Sequence, residues 1–454
     1  MTLKLNEILN CTSGDLILKG TQEEFDKISI DTRNIKTEDI FLAIKGINFD
    51  GNKYIPQAVE KGVKLCIISK VYFDINLLNQ NDVSIILVED TFKALENLAI
   101  FVRNKLKAKI IAVTGSVGKT TTKDLIYDFL NTKYKVYKNF GNYNNHLGMP
   151  LSLINIENDS EIGIFELGMS NIGEIDYLAK ILSPDIGVIT NIGVSHIEYL
   201  KTRENIFKAK MEIANYFNKD SILILNNEDE FLKCVNSSEY NIYKVGFSNT
   251  CNMYANNIEL YKDGVNFNLM YNGEIQEVSL SLLGKHNVLN SLIAFKICSI
   301  FKIPFDSLKE KFKSFTISSM RQEIINHNKL IIINDCYNAS PNSMKSSIDI
   351  LNLYKGDKVC IFGDMKELGE ESKYYHKNVS EYANSKVDKL ISIGSHRYDY
   401  CEGFENKNNC YCFENIDEFE KNMNNILNGM EVILVKASRS EKFERIIKIL
   451  MDKF

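Results

Sequence analysis

No apolar run in the 454 residues approaches the length needed to cross a bilayer. The opening MTLKLNEILNCTSGD also lacks the basic, apolar and small-residue succession of a secretory leader. Both absences lead to the expectation of a cytoplasmic protein with no membrane insertion. A long basic block is missing too: 54 Lys and Arg stand against 59 Asp and Glu, a net charge of -5, which excludes nucleic acid and anionic lipid as bulk partners. No Gly/Ser/Pro linker marks a boundary, proline numbers only 5, and no period of roughly 20 to 50 residues recurs, so repeat architectures are excluded. The ten cysteines lie mostly inside apolar runs (Cys66, Cys298, Cys360), and a disulfide framework needs an oxidising compartment, so most of them read as core thiols. Cys401, Cys410 and Cys412 are the tightest group, but without His at paired ligand spacing they are not read as a structural zinc site.

What is present is an ordinary globular mix, 44% hydrophobic and 25% charged, on a chain long enough for two to four domains at about 100 to 200 residues each. The rhythm of elements supplies the divisions. Residues 1–106 hold short apolar runs (40–44, 65–68, 85–88) closed by a helix over 91–107, a small α/β domain. From Ile110, strands alternate with helices: IIAVT (110–114), a helix over 119–131, GIFE (163–166), DIGVIT (185–190) and SILIL (221–225). Such runs between helices predict a parallel sheet covered on both faces. Residues 243–283 read as short antiparallel strands, an insertion or a sheet edge, with a hairpin turn at Asn272-Gly273. A helix over 286–301 follows. LIIIND (330–335), KVCIFGD (358–364), KLISIG (389–394) and EVILVKA (431–437) then restart the alternation as a second doubly wound domain. The expected fold is therefore α/β in three domains: 1–106, a central parallel-sheet domain over 107–316 carrying a phosphate loop, and a C-terminal Rossmann-like domain over 317–454. Such folds place ligands at the carboxyl ends of strands.

The sharpest motif is the apolar strand that runs through Thr114 into Gly115, Ser116, Val117, Gly118, Lys119, Thr120 and Thr121 and leaves as a helix. Loop N–H groups and the positive helix end receive phosphate oxygens, Lys119 neutralises the β/γ-phosphates, and the Thr120 hydroxyl can ligate Mg²⁺. Val113 stands where the general pattern has its first Gly, so only the GxxGKT half is present. Glu166 ends its strand beside the loop and is the candidate acidic ligand. His196 follows the next strand and could reach the same cleft, although a lone His there is commonly a satisfied hydrogen-bonding residue. Asn144 and Asn145 are neutral donors that could hold a polar substrate, or simply part of an Asn-rich turn. On its residues alone, Lys210 is a solvated helix lysine.

Taken in order, the motifs resemble the ATP-dependent Mur ligases of peptidoglycan synthesis over nearly the whole chain. The resemblance is carried by Ser29-Ile-Asp31-Thr32-Arg33, Phe41 to Gly46 and Phe49-Asp50-Gly51, then by the loop 114–123, Gly141 to Pro150, Glu166-Leu-Gly168, Thr190-Asn191 with His196, and Ala209-Lys210-Met-Glu212. Beyond these come Gly284-Lys-His286-Asn287, Arg321-Gln-Glu323, Asn334-Asp335-Cys-Tyr337-Asn338-Ala-Ser340-Pro341, Gly363 to Gly369, and Lys436-Ala437-Ser438-Arg439. It implies a ligase that phosphorylates a carboxylate to an acyl phosphate, which an amine then attacks. The type most resembled adds D-alanyl-D-alanine to UDP-N-acetylmuramoyl-tripeptide, so small molecules are the partners and a monomer is expected.

The resemblance also assigns roles. Thr120 and Glu166 would hold a first Mg²⁺, His196 a second, and Lys210 matches the family's carbamoylated lysine. Asn287 matches an adenine contact and Asp335 a ribose contact. Arg321 matches a γ-phosphate contact, where the residues alone suggest a surface salt bridge. Ser29, Asp31, Thr32, Arg33, Gly46 and Asp50 would hold the UDP end, while Tyr337 and Asn338 are candidates for the dipeptide or the nucleotide. Asn52 stands where the family commonly has His, and Ala437 where it commonly has Gly. The rival readings are a sibling Mur ligase, a folylpolyglutamate synthase, and a P-loop switch that ligates nothing.

Overall fold

The computed structural model describes residues 2–37, 39–46, 49–316 and 319–454. Four sheets organise them. The first is five-stranded, in the order Asp15–Leu18, Ser84–Leu87, Leu65–Ile68, Ile40–Leu42, Ile28–Ser29, parallel except where its first two strands meet. Leu3–Lys4 and Glu24–Phe25 form a small antiparallel pair beside it. The closing helix Thr91–Lys105 begins at Asp90, whose carboxylate accepts from the N–H groups of Phe92 and Lys93, filling donors that a helix start leaves open. Its buried face, Leu95, Leu98, Ala99 and Val102, shares one hydrophobic cluster with Met149, Leu153 and Leu178 of the neighbouring helices. Asn155 also exchanges two hydrogen bonds with the backbone of Ile28, so the first sheet is fastened to the part of the chain that carries the phosphate loop.

The central sheet has nine strands. Val136–Lys138, Ile162–Glu166, Lys109–Thr114, Ile186–Ile189, Ile222–Asn226 and Asn241–Gly246 are neighbours in that order, all parallel. The inner strands are buried along their length, as a sheet covered on both faces requires. The stretch expected to be antiparallel divides in two. Asn241–Gly246 is parallel to its neighbour, reached by a connection long enough for a crossover, and Met253–Tyr261 also starts parallel, at Val245 and Gly246. Only Met253–Tyr261, Gly264–Tyr271 and Glu274–Leu280 form antiparallel hairpins at the sheet's margin. The second hairpin turns through Asn272 (φ 51°) and Gly273 (φ 80°), the left-handed pair that a two-residue turn needs. The helix Lys285–Ile300 packs back on the phosphate-loop helix Lys119–Leu130.

The third sheet of this series is six-stranded, in the order Glu323–His327, Leu330–Asn334, Val432–Lys436, Lys358–Phe362, Lys389–Ile393, Cys410–Phe413, and parallel apart from its first pair. The protein is thus α/β with parallel-dominated sheets, as the alternation of apolar runs and helices predicts. One expectation fails here. Cys401 and Cys410 are joined by a disulfide, with their Cα atoms 5.9 Å apart, because the helix Arg397–Gly403 lies over the marginal strand that carries Cys410. The other eight cysteines are free. Among the described residues no helix is long and apolar enough to cross a membrane.

Candidate active site

The phosphate loop is held open by its neighbours. Gly115 has φ +149°, and a Cβ there would sit 1.8 Å from Thr190 Oγ1, so only glycine permits the close approach. Gly118, at φ +87°, turns the chain into the helix Lys119–Leu130, and a Cβ there would meet Asn290. Thr190 and Asn191 both donate to the carbonyl of Val117, at 2.6 and 2.8 Å, while the Val117 N–H donates to Asn191 Oδ1 at 2.9 Å. The N–H of Gly193 donates to Ser116 Oγ. Lys119 curls back to the carbonyl of Gly115 at 2.8 Å. Burial pushes its ammonium pKa below the usual lysine range, and the charge of Glu166 opposes that shift.

Glu166 ends its strand 4% exposed. Thr120 Oγ1 donates to its Oε2 at 2.7 Å, and Asn144 Nδ2 donates to its Oε1 at 3.0 Å. Lys123, buried one helical turn along, lies 3.8 Å from the same carboxylate and donates to the carbonyl of Asn139. Asn145 caps the short helix beside it through the N–H of Gly148. Arg321 crosses from the chain's last third: its Nη2 donates to Thr120 Oγ1 at 3.2 Å, and its guanidinium stacks on the Tyr337 ring at 3.9 Å. Arg321 Nε is buried with no hydrogen-bond partner among the described residues, a donor left over for an anion.

At the other end of the cleft, Asn287 donates to the carbonyl of Leu283 and lies beside Gln322, which bonds His286. Burial pushes the His286 imidazole down to about 4, so it stays neutral. Asp335 has both oxygens occupied, by the Gln322 N–H, the Ser347 hydroxyl and Lys436 at 2.5 Å. Lys436 also reaches the carbonyl of Asn338. These groups surround one cavity of about 490 Å³, which the loop residues Ser116 to Thr121 line together with Asn144, Asn145, Glu166, His196, Asn287, Arg321, Asp335, Tyr337 and Asn338. Two predicted residues stand off its wall. Gly115 lies behind the loop, and Lys210 is 2% exposed on the helix Arg203–Met211. No hydrogen bond or ion pair reaches the Lys210 amine among the described residues. Burial, with the charge of Lys119 beside it, drives its pKa well below the ordinary lysine value.

The predicted first-domain residues lie outside that cavity's lining. Ser29 Oγ receives the Asp31 N–H, Arg33 closes a fork on Asp31 at 2.6 Å, and Thr32 bonds Gln57. Gly46 is held to Phe49 through its N–H. Asp50 accepts from Asn52 and Tyr72. Asn52, where the family's His is replaced, is fully buried, and its Oδ1 receives the N–H groups of Ser69 and Lys70, so it braces this loop from within.

Reading by motif missed three residues. Lys123 and Lys436 stand within quoted motifs, yet only the fold shows them buried against Glu166 and Asp335. Glu367 Oε2 lies 2.6 Å from His196 Nδ1, and that contact, ahead of the opposing burial, holds its carboxyl below the ordinary range. Its loop, Gly363 to Gly369, was legible as a motif; its partner was not.

A phosphate loop at a parallel-sheet edge, facing a strand-end carboxylate and roofed by a cation from a second doubly wound sheet, is the framework of an enzyme that uses a nucleoside triphosphate to activate another group. Family models give that class its name: "Mur ligase family, catalytic domain" matches residues 24–103, "Mur ligase middle domain" 113–298, and "Mur ligase, glutamate ligase domain" 320–439. The chain belongs to the Mur ligase family. The Bacillus subtilis UDP-N-acetylmuramoyl-tripeptide--D-alanyl-D-alanine ligase is 36% identical over 94% of this chain and 93% of its own. A crystal structure of MurF from Acinetobacter baumannii matches with a TM-score of 0.90 at 27% identity, covering 100% of this chain and 99% of that one. The MurF ligase from Thermotoga maritima in complex with ADP matches at 0.81 and 27%, covering 94% and 97%.

Proposed function

We propose that this chain joins D-alanyl-D-alanine to UDP-N-acetylmuramoyl-tripeptide with cleavage of ATP, giving the pentapeptide precursor of peptidoglycan. The observation that carries the reading is the hydrogen bond from Arg321 to Thr120, which brings a cation across the cleft to the phosphate loop. The γ-phosphoryl group moves to the tripeptide carboxylate, and the dipeptide amine then displaces phosphate from the acyl phosphate. Both steps bring anions together, so positioned positive charge and exclusion of water do most of the catalysis. Gly115 to Thr121 cradle the phosphates, Lys119 and Arg321 bear on the γ-phosphate, and Asn287 and Asp335 face the nucleoside. Asn144, Asn145, Tyr337 and Asn338 face the acceptor end. Ser29, Asp31, Thr32, Arg33, Gly46 and Asp50 hold the UDP end.

Thr120 Oγ1 and Glu166 Oε2, 2.7 Å apart, are hard oxygen donors suited to Mg²⁺, and His196 supplies a donor for a second ion. Bound Mg²⁺ lowers the repulsion between phosphate and carboxylate as they meet. A buried lysine amine whose pKa is driven well down by burial and by the charge of Lys119 suits carbamoylation: the neutral Nζ adds CO₂ and loses one proton, and the amine becomes an anion beside Lys119. The domain division follows as 1–106 for the UDP precursor, 107–316 for ATP and 317–454 for closure and the dipeptide. The enzyme acts as a monomer in the cytoplasm, where UDP-linked precursors and ATP meet.

The test is phosphate release from ATP and Mg²⁺ with UDP-N-acetylmuramoyl-tripeptide, with and without D-alanyl-D-alanine, on the lysine and diaminopimelate forms. Dipeptide-dependent release with a pentapeptide product supports the reading and identifies the third residue. Turnover on a shorter UDP-muramoyl peptide or a folate assigns a sibling ligase or a folylpolyglutamate synthase. Nucleotide binding without any ligated product assigns a switch.

A further inference from the structure

Three cysteine sulfurs converge outside the catalytic cavity, and none of them lines it. Cys410 and Cys412 stand two residues apart on the marginal strand Cys410–Phe413, so both project from one face. Cys401 meets them from the helix Arg397–Gly403. The three sulfurs lie within 4.8 Å of one another, each half-buried, with Cys412 Sγ 2.8 Å from Cys401 Sγ. A disulfide uses two of them and leaves Cys412 unexplained. A fourth group is in place: the buried Ser392 hydroxyl lies 3.5 Å from Cys412 Sγ and 3.8 Å from Cys401 Sγ.

The geometry points to a binding site for one thiophilic divalent cation of the zinc class, formed by Cys401, Cys410 and Cys412 with the Ser392 hydroxyl beside them, of which the Cys401–Cys410 disulfide is the oxidised form. Metal–sulfur bonds of about 2.3 Å and metal–oxygen bonds of about 2.1 Å in a tetrahedron set S···S edges near 3.8 Å and S···O edges near 3.6 Å. The serine oxygen already stands at those edges, and cleaving the Cys401–Cys410 bond gives the sulfurs the spread they need. A small cellular dithiol supplies the two electrons and two protons of that cleavage and is itself oxidised to a disulfide. The ion then displaces the thiol protons and ties the marginal strand to its helix. Positive charge is at hand, since Lys407 donates to the carbonyls of Cys401 and Phe404 at 2.5 and 2.6 Å and the charge of Arg397 favours the Cys412 thiolate. Closely spaced cysteines inside an intracellular enzyme bind metal more often than they form structural disulfides. The inference rests on the proposed function only for the compartment and for the turnover that reports folding.

The full chain, reduced with a phosphine, is titrated with Co²⁺ and then with Zn²⁺. One Co²⁺ per chain is expected to bring an intense thiolate-to-metal band in the near ultraviolet, bleached by one equivalent of Zn²⁺. Cys401→Ser and Cys412→Ser are each expected to lose the band and to weaken Zn²⁺ binding by more than the roughly 10- to 100-fold that loss of an outer-sphere partner costs. Both variants are expected to keep ligase turnover, which shows that they fold. The proposal is overturned if the reduced wild-type chain gives no band, or if the band survives in both variants.

Discussion

Lys210 buries an amine without a hydrogen-bond or ion-pair partner among the described residues, beside Lys119. Burying an unpaired charge is costly, and burial with the charge of Lys119 drives the amine's pKa well below the ordinary lysine value, which is what the proposed carbamoylation rests on. Lys210→Ala is expected to lower turnover by about 100-fold or more, as removal of a preorganised charge does, with partial rescue by added short carboxylates; a variant that keeps full turnover removes Lys210 from the site. His376 shows a purely structural use of burial. Its Nε2 accepts the N–H of Met365 at 2.9 Å, its ring stacks on His396 at 4.2 Å, and Asp364 and Asp399 lie near. Burial pushes its pKa from 6.5 down to about 4. The native chain therefore refuses a proton that the unfolded chain accepts as pH falls below 6.5, and stability drains between 6.5 and about 4 while no linkage operates above 6.5. Melting temperature followed across that window is expected to fall less steeply in His376→Gln, by about one proton's share of the slope. At this scale the sequence was legible wherever chemistry is local. The phosphate loop announces itself within eight residues. Arg321 does not, because its partner Thr120 lies 201 positions away and nothing near Arg321 separates it from a surface ion pair.

Elements that end at the cleft carry these side chains, and their strands were readable from apolar runs alone: Lys109–Thr114, Ile162–Glu166 and Ile186–Ile189 fall within a residue or two of expectation. The marginal strands were less readable because pairing direction depends on where a connection returns, which periodicity does not encode. The segment leading into Glu323–His327 brings Arg321 over the loop and sets it on the Tyr337 ring. Cation and ring together fix the guanidinium plane, worth about 0.5–2 kcal/mol at such a contact. Tyr337→Phe is expected to keep kcat near wild type, and Tyr337→Leu to lower kcat/KM a few-fold to about thirtyfold by that energy. Steady-state kinetics on the two variants distinguishes stacking from a role for the hydroxyl, since equal losses would assign the effect to the hydroxyl.

At the scale of the molecule, the contacts across the cleft include Arg321 on Thr120, Gln322 on Asn287 and His286, and Glu367 on His196, whose neighbour Glu198 also donates its N–H to the Glu367 carbonyl. The domains of such an enzyme close on their ligands and reopen to release them. Glu367 is partly exposed, so its contact adds little to global stability while still favouring the closed arrangement. Glu367→Ala is expected to raise KM for ATP and to speed amide hydrogen exchange in residues 194–200, with the melting temperature almost unmoved. Unchanged exchange there would show that closure does not run through this contact. The two doubly wound sheets were legible from alternation; which of their loops meet was not, because inter-domain contacts are made by side chains whose neighbours in sequence carry no trace of the partner.

The phosphate loop described above is a casting rather than a glove. With the Val117 carbonyl and the Ser116 hydroxyl pinned by the next strand's loop, and with Gly115 flush against Thr190, its amides are aimed before any ligand arrives. Any nucleoside triphosphate can perch there at small entropic cost. On the proposed placement of the base at Asn287, discrimination among them is displaced to the other end of the same cavity, which Asn287, Gln322 and His286 line, and a change in nucleotide preference is to be engineered there and not in the loop.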